Sequence, residues 1–199
     1  ELRHKAASIA RSELEKPADA IAIYEQLFED EPTDRAAADA LRQLYEQSKS
    51  WEKLGRLLER LVDQADSATL RSTLRLELAR LNVEHFEAVD TAVELLKTVL
   101  EDEPGNSDAV VALSELYEKA KRDEELAELL KQQIEGASRR GDTEAELLFQ
   151  VRLGEIYDAR LGDRAKAIDT YQAVLARDGA HRGALEALSR LFQADGNLA

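Results

Sequence analysis

The sequence contains no cysteine and no methionine. Without thiols the chain forms neither disulfide bonds nor the metal sites that thiolates build, although this absence assigns no compartment. Only three prolines and nine glycines interrupt it, and the stretches between them are rich in alanine, leucine, glutamate, arginine and glutamine. Because these residues are strong helix formers, we expect an all-α fold.

An excess of basic residues is also missing. The chain has 27 lysines and arginines against 41 aspartates and glutamates, which gives a net charge of −14. A nucleic-acid-binding protein needs a basic surface to neutralise phosphates, and anionic membranes attract basic segments in the same way. The charge therefore argues against a nucleic acid and against a membrane as partners. Acidic residues occur throughout the chain, so an acidic surface rather than an acidic tail is expected.

Long hydrophobic runs are absent as well. No stretch approaches the roughly 20 apolar residues of a membrane span, and residues 1–5 lack the pattern of a secretory signal, so a cytoplasmic protein is expected. The chain begins in a helical pattern without an initiator methionine, and it ends where the partner of its last helix should start. These features indicate a fragment of a longer protein, and the composition, rich in alanine, arginine and leucine, favours a bacterial source.

An internal repeat is the strongest signal present. Segments that begin at Ala20, Ala92 and Ala167 align without a gap, at offsets of 72 and 75 residues. The same register continues downstream through Leu41, Leu113 and Leu188. Such regularity indicates a repeat architecture, in which each unit buries its apolar face against the next.

Each copy contains four amphipathic helices. Leu54, Leu57, Leu58 and Leu61 show the spacing that places apolar side chains on one face of a helix. Turn residues such as Pro32-Thr33-Asp34 and Pro104-Gly105-Asn106 separate the helices and supply capping oxygens. The predicted helices are 2–14, 17–31, 34–48, 51–65, 68–85, 88–102, 107–121, 123–137, 142–160, 164–177 and 181–193. A longer loop is predicted from Gly136 to Thr143.

The residues of one unit resemble a known motif. Leu153-Gly154 and Tyr157 in a first helix, followed by Ala167 and Tyr171 in a second, are similar to the tetratricopeptide repeat. Equivalent positions recur after 35 to 40 residues, at Ala6, Leu41, Leu78, Leu113, Leu153 and Leu188. The family's tryptophan position is not occupied by tryptophan in these copies.

This resemblance implies a right-handed helical solenoid of stacked antiparallel helix pairs, with about five and a half repeats in a single domain over 1–199. The expected repeats are 1–33, 34–66, 67–105, 106–140, 141–179 and a truncated 180–199.

Catalytic chemistry is not indicated. The three histidines, His4, His85 and His181, lie on separate repeats, and the sequence has no zinc-protease, serine-hydrolase or phosphate-loop motif. We therefore expect no enzyme activity, no metal and no cofactor. The histidines and the single tryptophan, Trp51, are interpreted as packing or surface residues.

The resemblance also implies a binding surface, since in this family the first helix of each pair lines a concave face. Helix geometry selects the side chains that point away from the leucine stripe: Asp39, Gln43, Glu46, Arg80, Val83, Glu84, Glu115, Glu118, Lys119, Glu155, Asp158, Glu186 and Arg190. This surface is mostly acidic and lacks the lysine and asparagine clamp with which some relatives hold a C-terminal carboxylate. A basic or amphipathic protein segment is therefore the expected ligand.

Two functions stay open at this point. The first is a non-catalytic protein-interaction module that uses this face, although its charges could equally be a solvated helix surface with binding elsewhere. The second is a structural spacer that stacks on neighbouring repeats or on copies of itself. The last predicted helix would favour the spacer, because its leucine stripe of Leu185, Leu188, Leu191 and Phe192 is expected to be exposed.

Overall fold

The computed structural model describes Lys5, Ile9 and residues 17–194. Within them it contains ten α-helices and no strand. The helices are α1 Pro17–Asp30, α2 Arg35–Gln47, α3 Trp51–Gln64, α4 Ala68–His85, α5 Val89–Asp102, α6 Ser107–Ala120, α7 Asp123–Arg140, α8 Thr143–Ala159, α9 Arg164–Arg177 and α10 Arg182–Ala194. The predicted helix 2–14, with His4 and Ala6, lies outside the described residues except for Lys5 and Ile9, which are helical.

The predicted helices agree with the observed ones to within one residue at each end, except at the end of α7. The loop predicted from Gly136 is wrong, because Gly136 to Arg140 continue the helix and Gly141, with φ of 71°, ends it. The cause is that the buried stripe of α7 runs on through Gln133 and Ala137. The spacing between these two repeats is therefore larger because the helix α7 is longer, and not because the loop after it is longer.

Side-chain caps fix where helices begin. The Asp34 carboxylate accepts a hydrogen bond from the Ala37 amide at 3.0 Å, and the Asn106 side chain accepts one from Ala109 at the same distance. Both capping residues belong to the turns that were predicted from the sequence. Each satisfies an amide of the first helical turn that has no partner within the helix.

The chain divides into two compact units, residues 1–103 and 104–199. Unit 1 holds α1 to α5 and unit 2 holds α6 to α10, and within each unit the consecutive helices pack on one another. Short turns join them, so neighbouring helices run antiparallel. The predicted all-α fold of stacked antiparallel helix pairs is confirmed within each unit. That all of 1–199 forms a single solenoid, with the repeat boundaries given above, stays a prediction.

No helix of residues 17–194 is both long and apolar enough to cross a membrane.

The core of each unit forms where two helices cross at small residues. Ala20, Ala92 and Ala167, which define the repeat, are all 0% exposed. In unit 2 the closest approach involves Gly154 of α8, because a Cβ atom there would come within 2.7 Å of the Tyr171 ring of α9. Glycine therefore allows the aromatic ring to lie directly on the neighbouring helix backbone.

The apolar stripe of α10 is less exposed than predicted. Leu188 and Leu191 are buried, because this side of α10 packs on α9, whereas Leu185 and Phe192 are exposed. The expectation of four exposed residues is thus wrong for two of them.

The repeat register supplies a test of the crossing at Gly154. In the preceding copy the equivalent residues are Ala79 and Leu96, both buried. We expect Gly154→Ala to destabilise the protein by about 1–3 kcal/mol through overpacking. Adding Tyr171→Leu should recover part of that loss, since the double variant reproduces the Ala79 and Leu96 pair.

Chemical denaturation of the two single variants and the double variant, followed by circular dichroism, measures this coupling. Additive losses of unfolding free energy would contradict a direct clash between the two positions.

Candidate functional site

The predicted site residues lie on the first helices of successive pairs, which are α2 and α4 in unit 1 and α6, α8 and α10 in unit 2. We call their solvent-facing side the first-helix face. Most of these residues are exposed, and Val83, Glu118 and Asp158 are half-buried. Helix periodicity therefore places all of them outside the core.

Two depressions on this face are lined by described residues of unit 1. A slot of about 510 Å³ lies between the first halves of α2 and α4, with Leu61 of α3, Leu70 and Leu74 in its apolar lining. Asp39 is the single predicted site residue in its lining, and an ion pair of 3.2 Å between Arg35 and Asp66 lies at its edge. The predicted residues Gln43 and Val83 line neither this slot nor the second depression.

The second depression of unit 1 is a pocket of about 120 Å³ that brings together Glu46, Arg80 and Glu84. Trp51 and His85 form part of its wall, with their rings stacked at a centroid distance of 3.8 Å and an interplanar angle of 6°. The stack joins the first residue of α3 to the last residue of α4. Trp51 thus has a packing role, as the sequence predicted.

The same contact has different chemistry in the next copy. In the repeat register Asp123 corresponds to Trp51 and Arg160 to His85. Asp123 and Arg160 form an ion pair of 3.2 Å between their side chains. One inter-repeat contact is therefore made by an aromatic stack in unit 1 and by opposite charges in unit 2.

Unit 2 gathers more of the predicted residues than unit 1. A cleft of about 730 Å³ lies between α8 and α10, with the end of α6 beside it. Its lining includes the predicted residues Glu118, Glu155, Asp158, Glu186 and Arg190. Glu115 and Lys119 are exposed on α6 outside the cleft.

Ion pairs between successive first helices cross this cleft. Glu118 of α6 pairs with Arg152 of α8 at 2.9 Å, and Asp158 of α8 pairs with Arg190 of α10 at 2.6 Å. Arg160 also lines the cleft and pairs with Glu118 at 3.5 Å as well as with Asp123. Every arginine in the lining is thus neutralised by a carboxylate.

A related pair joins Arg42 of α2 to Glu77 of α4 in unit 1. The sequence pattern did not identify Arg42, Arg152 or Arg160, and it identified Arg190 without its pairing to Asp158, since each helix face was considered alone. The signal that could have found them is the recurrence of opposite charges 32 to 35 residues apart, which is one repeat. Three of the predicted binding residues, Glu118, Asp158 and Arg190, therefore also link neighbouring repeats.

Glu155 differs from the other acids of the cleft. It is exposed and forms no ion pair with any residue that the structure describes, whereas Glu186 pairs with Arg182 at 2.7 Å. Glu155 is therefore the one carboxylate of the cleft lining that has no counter-ion among the described residues.

The cleft floor carries a hydroxyl group. Tyr171 of α9 lines the cleft although it is 1% exposed, because its ring passes over Gly154. Burial, together with the carboxylates of Glu155 and Asp158, raises the pKa of the Tyr171 hydroxyl to about 12 against the opposing charge of Arg190. Within residues 17–194 no hydrogen-bond partner of this hydroxyl is found.

The depressions described above are lined by charged and hydrogen-bonding side chains. Among the described residues, no group of three or more histidine, aspartate or glutamate side chains could hold a metal ion. His85 stacks on Trp51, and the ring nitrogen of His181 accepts a hydrogen bond from the Ala184 amide at the start of α10.

Comparisons with known proteins identify the repeat. Residues 87–137 and residues 150–181 each match a family model of the tetratricopeptide repeat. No curated protein matches the chain. The resemblance inferred from Leu153-Gly154 and the residues that follow is thus confirmed.

Several solved structures are similar to this chain. A crystal structure of a tetratricopeptide repeat protein from Parabacteroides merdae ATCC 43184 is similar over 98% of this chain and 72% of its own, with 12% identity and a TM-score of 0.50. MamA protein is similar over 100% of this chain and 95% of its own, with 16% identity and a TM-score of 0.49. YrrB, described as a tetratricopeptide repeat protein with an unusual peptide-binding site, covers 92% of this chain and 88% of its own, with 16% identity and a TM-score of 0.47.

The stack in unit 1 has a direct optical readout, because Trp51 is the only tryptophan. We expect His85→Ala to expose the indole ring and move its fluorescence emission to longer wavelength. The loss of the stacked pair should also lower the free energy of unfolding by about 0.5–1.5 kcal/mol.

His181→Ala is the matched control, since His181 lies in unit 2. Its emission spectrum should equal that of the unmodified protein. An unchanged spectrum in the His85 variant would contradict the stacked geometry.

Proposed function

Since the chain contains tetratricopeptide repeats, we propose that it is a non-catalytic interaction module that holds a basic or amphipathic segment of another protein on its first-helix face. The fold is that of a protein-interaction scaffold. The proposal goes further in naming the face and the chemistry of the ligand.

The unpaired acidic charge of unit 2 carries this proposal. Glu155 in the cleft and Glu115 beside it are exposed and form no ion pair with the described residues. The arginines of the cleft are already neutralised, so a ligand meets a surface of residual negative charge. Such a surface attracts a basic segment and disfavours an acidic one.

The composition supports the same class of partner. A net charge of −14 opposes binding to nucleic acid and to anionic membranes, both of which carry negative charge.

Catalysis would need a group of reactive side chains around a substrate, and the histidines of the described residues are each used in packing or capping.

A charge-reversal variant tests the first-helix face. Random peptides displayed on phage are selected on the unmodified protein, and the enriched peptides are then measured by fluorescence polarisation. In the variant Glu115→Lys with Glu155→Lys, we expect their affinity to fall about tenfold or more, because like charges then face each other. Glu118 and Asp158 are left unchanged, since replacing them would break ion pairs between repeats.

The matched control reverses two exposed acids on the second helices of the same unit, Glu124→Lys in α7 with Asp169→Lys in α9. It carries the same change in net charge, so it separates a local effect from general repulsion. Equal loss of affinity in both variants, or no loss in either, would contradict binding at the first-helix face.

A structural spacer is the second candidate, and one observation favours it. Leu185 and Phe192 of α10 are 46% and 37% exposed, although both are large and apolar. A surface of this kind is suited to stacking on another helix.

Sedimentation velocity over a concentration series distinguishes this candidate. If the chain is a self-stacking spacer, association rises with concentration, and Leu185→Ser with Phe192→Ser abolishes it. A protein that stays monomeric at all concentrations while binding the selected peptides would exclude self-stacking through α10.

A further inference from the structure

The cleft of unit 2 contains the hydroxyl group of a buried tyrosine, and the packing of the core does not explain this group. The Tyr171 ring packs against Gly154 through ring carbons only. A phenylalanine ring would make the same contact. Its oxygen makes no hydrogen bond with the described residues, yet Tyr171 lines the cleft. A tyrosine with a buried ring usually places its hydroxyl where it finds a hydrogen-bond partner, so a hydroxyl that faces the cleft is available to a ligand there.

The charges around this hydroxyl are unequal. Glu155 and Asp158 of α8 and Arg190 of α10 are the charged groups that act on it. Arg190 is paired with Asp158 at 2.6 Å, which leaves the Glu155 carboxylate without a counter-ion among the described residues. The surroundings of the hydroxyl therefore lack one positive charge.

From these observations we propose that the cleft between α8 and α10 holds a cationic side chain, a lysine or an arginine, of the bound protein segment. The Glu155 carboxylate acts as its counter-ion, and the Tyr171 oxygen accepts a hydrogen bond from it. This inference rests on the proposed function and names the group that the first-helix face recognises.

The protonation of the hydroxyl is compatible with this role. Because burial and the two carboxylates raise the pKa of Tyr171 to about 12, the group stays neutral at physiological pH. A neutral hydroxyl keeps its lone pairs for an ammonium or guanidinium donor. The hydrogen bond would be charge-assisted, a class that is stronger than bonds between neutral groups.

The paired arginines of the cleft favour a cation over an anion. A carboxylate ligand would have to displace Glu118 or Asp158 from ion pairs of 2.9 and 2.6 Å. A cationic ligand displaces nothing, since Glu155 has no partner to lose. The slot of unit 1 has no equivalent, because its exposed arginine and aspartate at the edge already pair with each other.

Two variants test the proposal: one removes the charge of Glu155, and the other removes the hydroxyl oxygen of Tyr171. The probe is a fluorescein-labelled peptide of alternating lysine and alanine, compared with peptides in which norleucine or glutamate replaces lysine. At low ionic strength we expect Glu155→Gln to weaken binding of the lysine peptide about tenfold, and Tyr171→Phe to weaken it about threefold. Glu124→Gln in α7 is the control and should leave the affinity unchanged.

A second readout locates the cation without relying on variants. In protein labelled with ¹³C at the tyrosine Cζ atom, the lysine peptide should shift the resonance of Tyr171 and leave that of Tyr117 in place. The norleucine peptide should shift neither. Tyr171→Phe identifies the resonance, since it removes that signal alone.

The outcomes separate this inference from the proposed function. If phage-selected peptides bind the first-helix face but neither Glu155→Gln nor Tyr171→Phe weakens the lysine peptide, the cation site is wrong and the module stands. If the glutamate peptide binds more tightly than the lysine peptide, the arginines recognise a carboxylate and the site is again wrong. If no peptide of any composition binds, both the cation site and the proposed function are wrong.

Discussion

The close crossing of consecutive helices at small residues is the constraint on which the rest of the structure depends. Ala20, Ala92 and Ala167 have no exposed surface, and Gly154 has no room for even one more carbon atom. An amphipathic helix of this length cannot bury its apolar stripe alone, so each one depends on a neighbour at close range. The opposite side of every first helix is then left to the solvent, and the candidate site lies there.

Ion pairs between the first helices follow from this packing. Once the backbones are fixed, side chains one repeat apart come within reach, as in the pairs of Glu118 with Arg152 and Asp158 with Arg190. Exposed pairs of this kind contribute only about 0–1 kcal/mol each to stability. They also neutralise the arginines of the cleft and leave Glu155 as its unpaired charge.

Much of this architecture could be predicted from the sequence, because helix formation depends on local patterns. Leucine spacing and capping residues such as Asp34 and Asn106 placed the helix ends to within one residue in most cases. The end of α7 was missed because Gly136 was interpreted as a breaker, whereas burial of Gln133 and Ala137 carries the helix past it. Tertiary packing there overrides a weak local preference.

The candidate site could be predicted only in part. Periodicity identified which side chains leave the core, but it could not show which of them meet across repeats. The stack of Trp51 on His85 and the position of the Tyr171 hydroxyl depend on how far one helix is shifted along the next. Such shifts are set by core packing, which a single helix pattern does not contain.

Comparison of equivalent positions shows where specificity can arise in a chain of similar units. The contact made by Trp51 and His85 in one copy is made by Asp123 and Arg160 in the next, so its chemistry changes while its place is kept. At the helix crossing, Leu96 stands where the following copy has Tyr171, and leucine brings no hydroxyl to the surface. The crossing takes tyrosine beside glycine in one copy and leucine beside alanine in the other, so the core does not require the Tyr171 hydroxyl. Paired substitutions of this kind let a repeated scaffold change the chemistry of its surface while the stacking of its helices is kept.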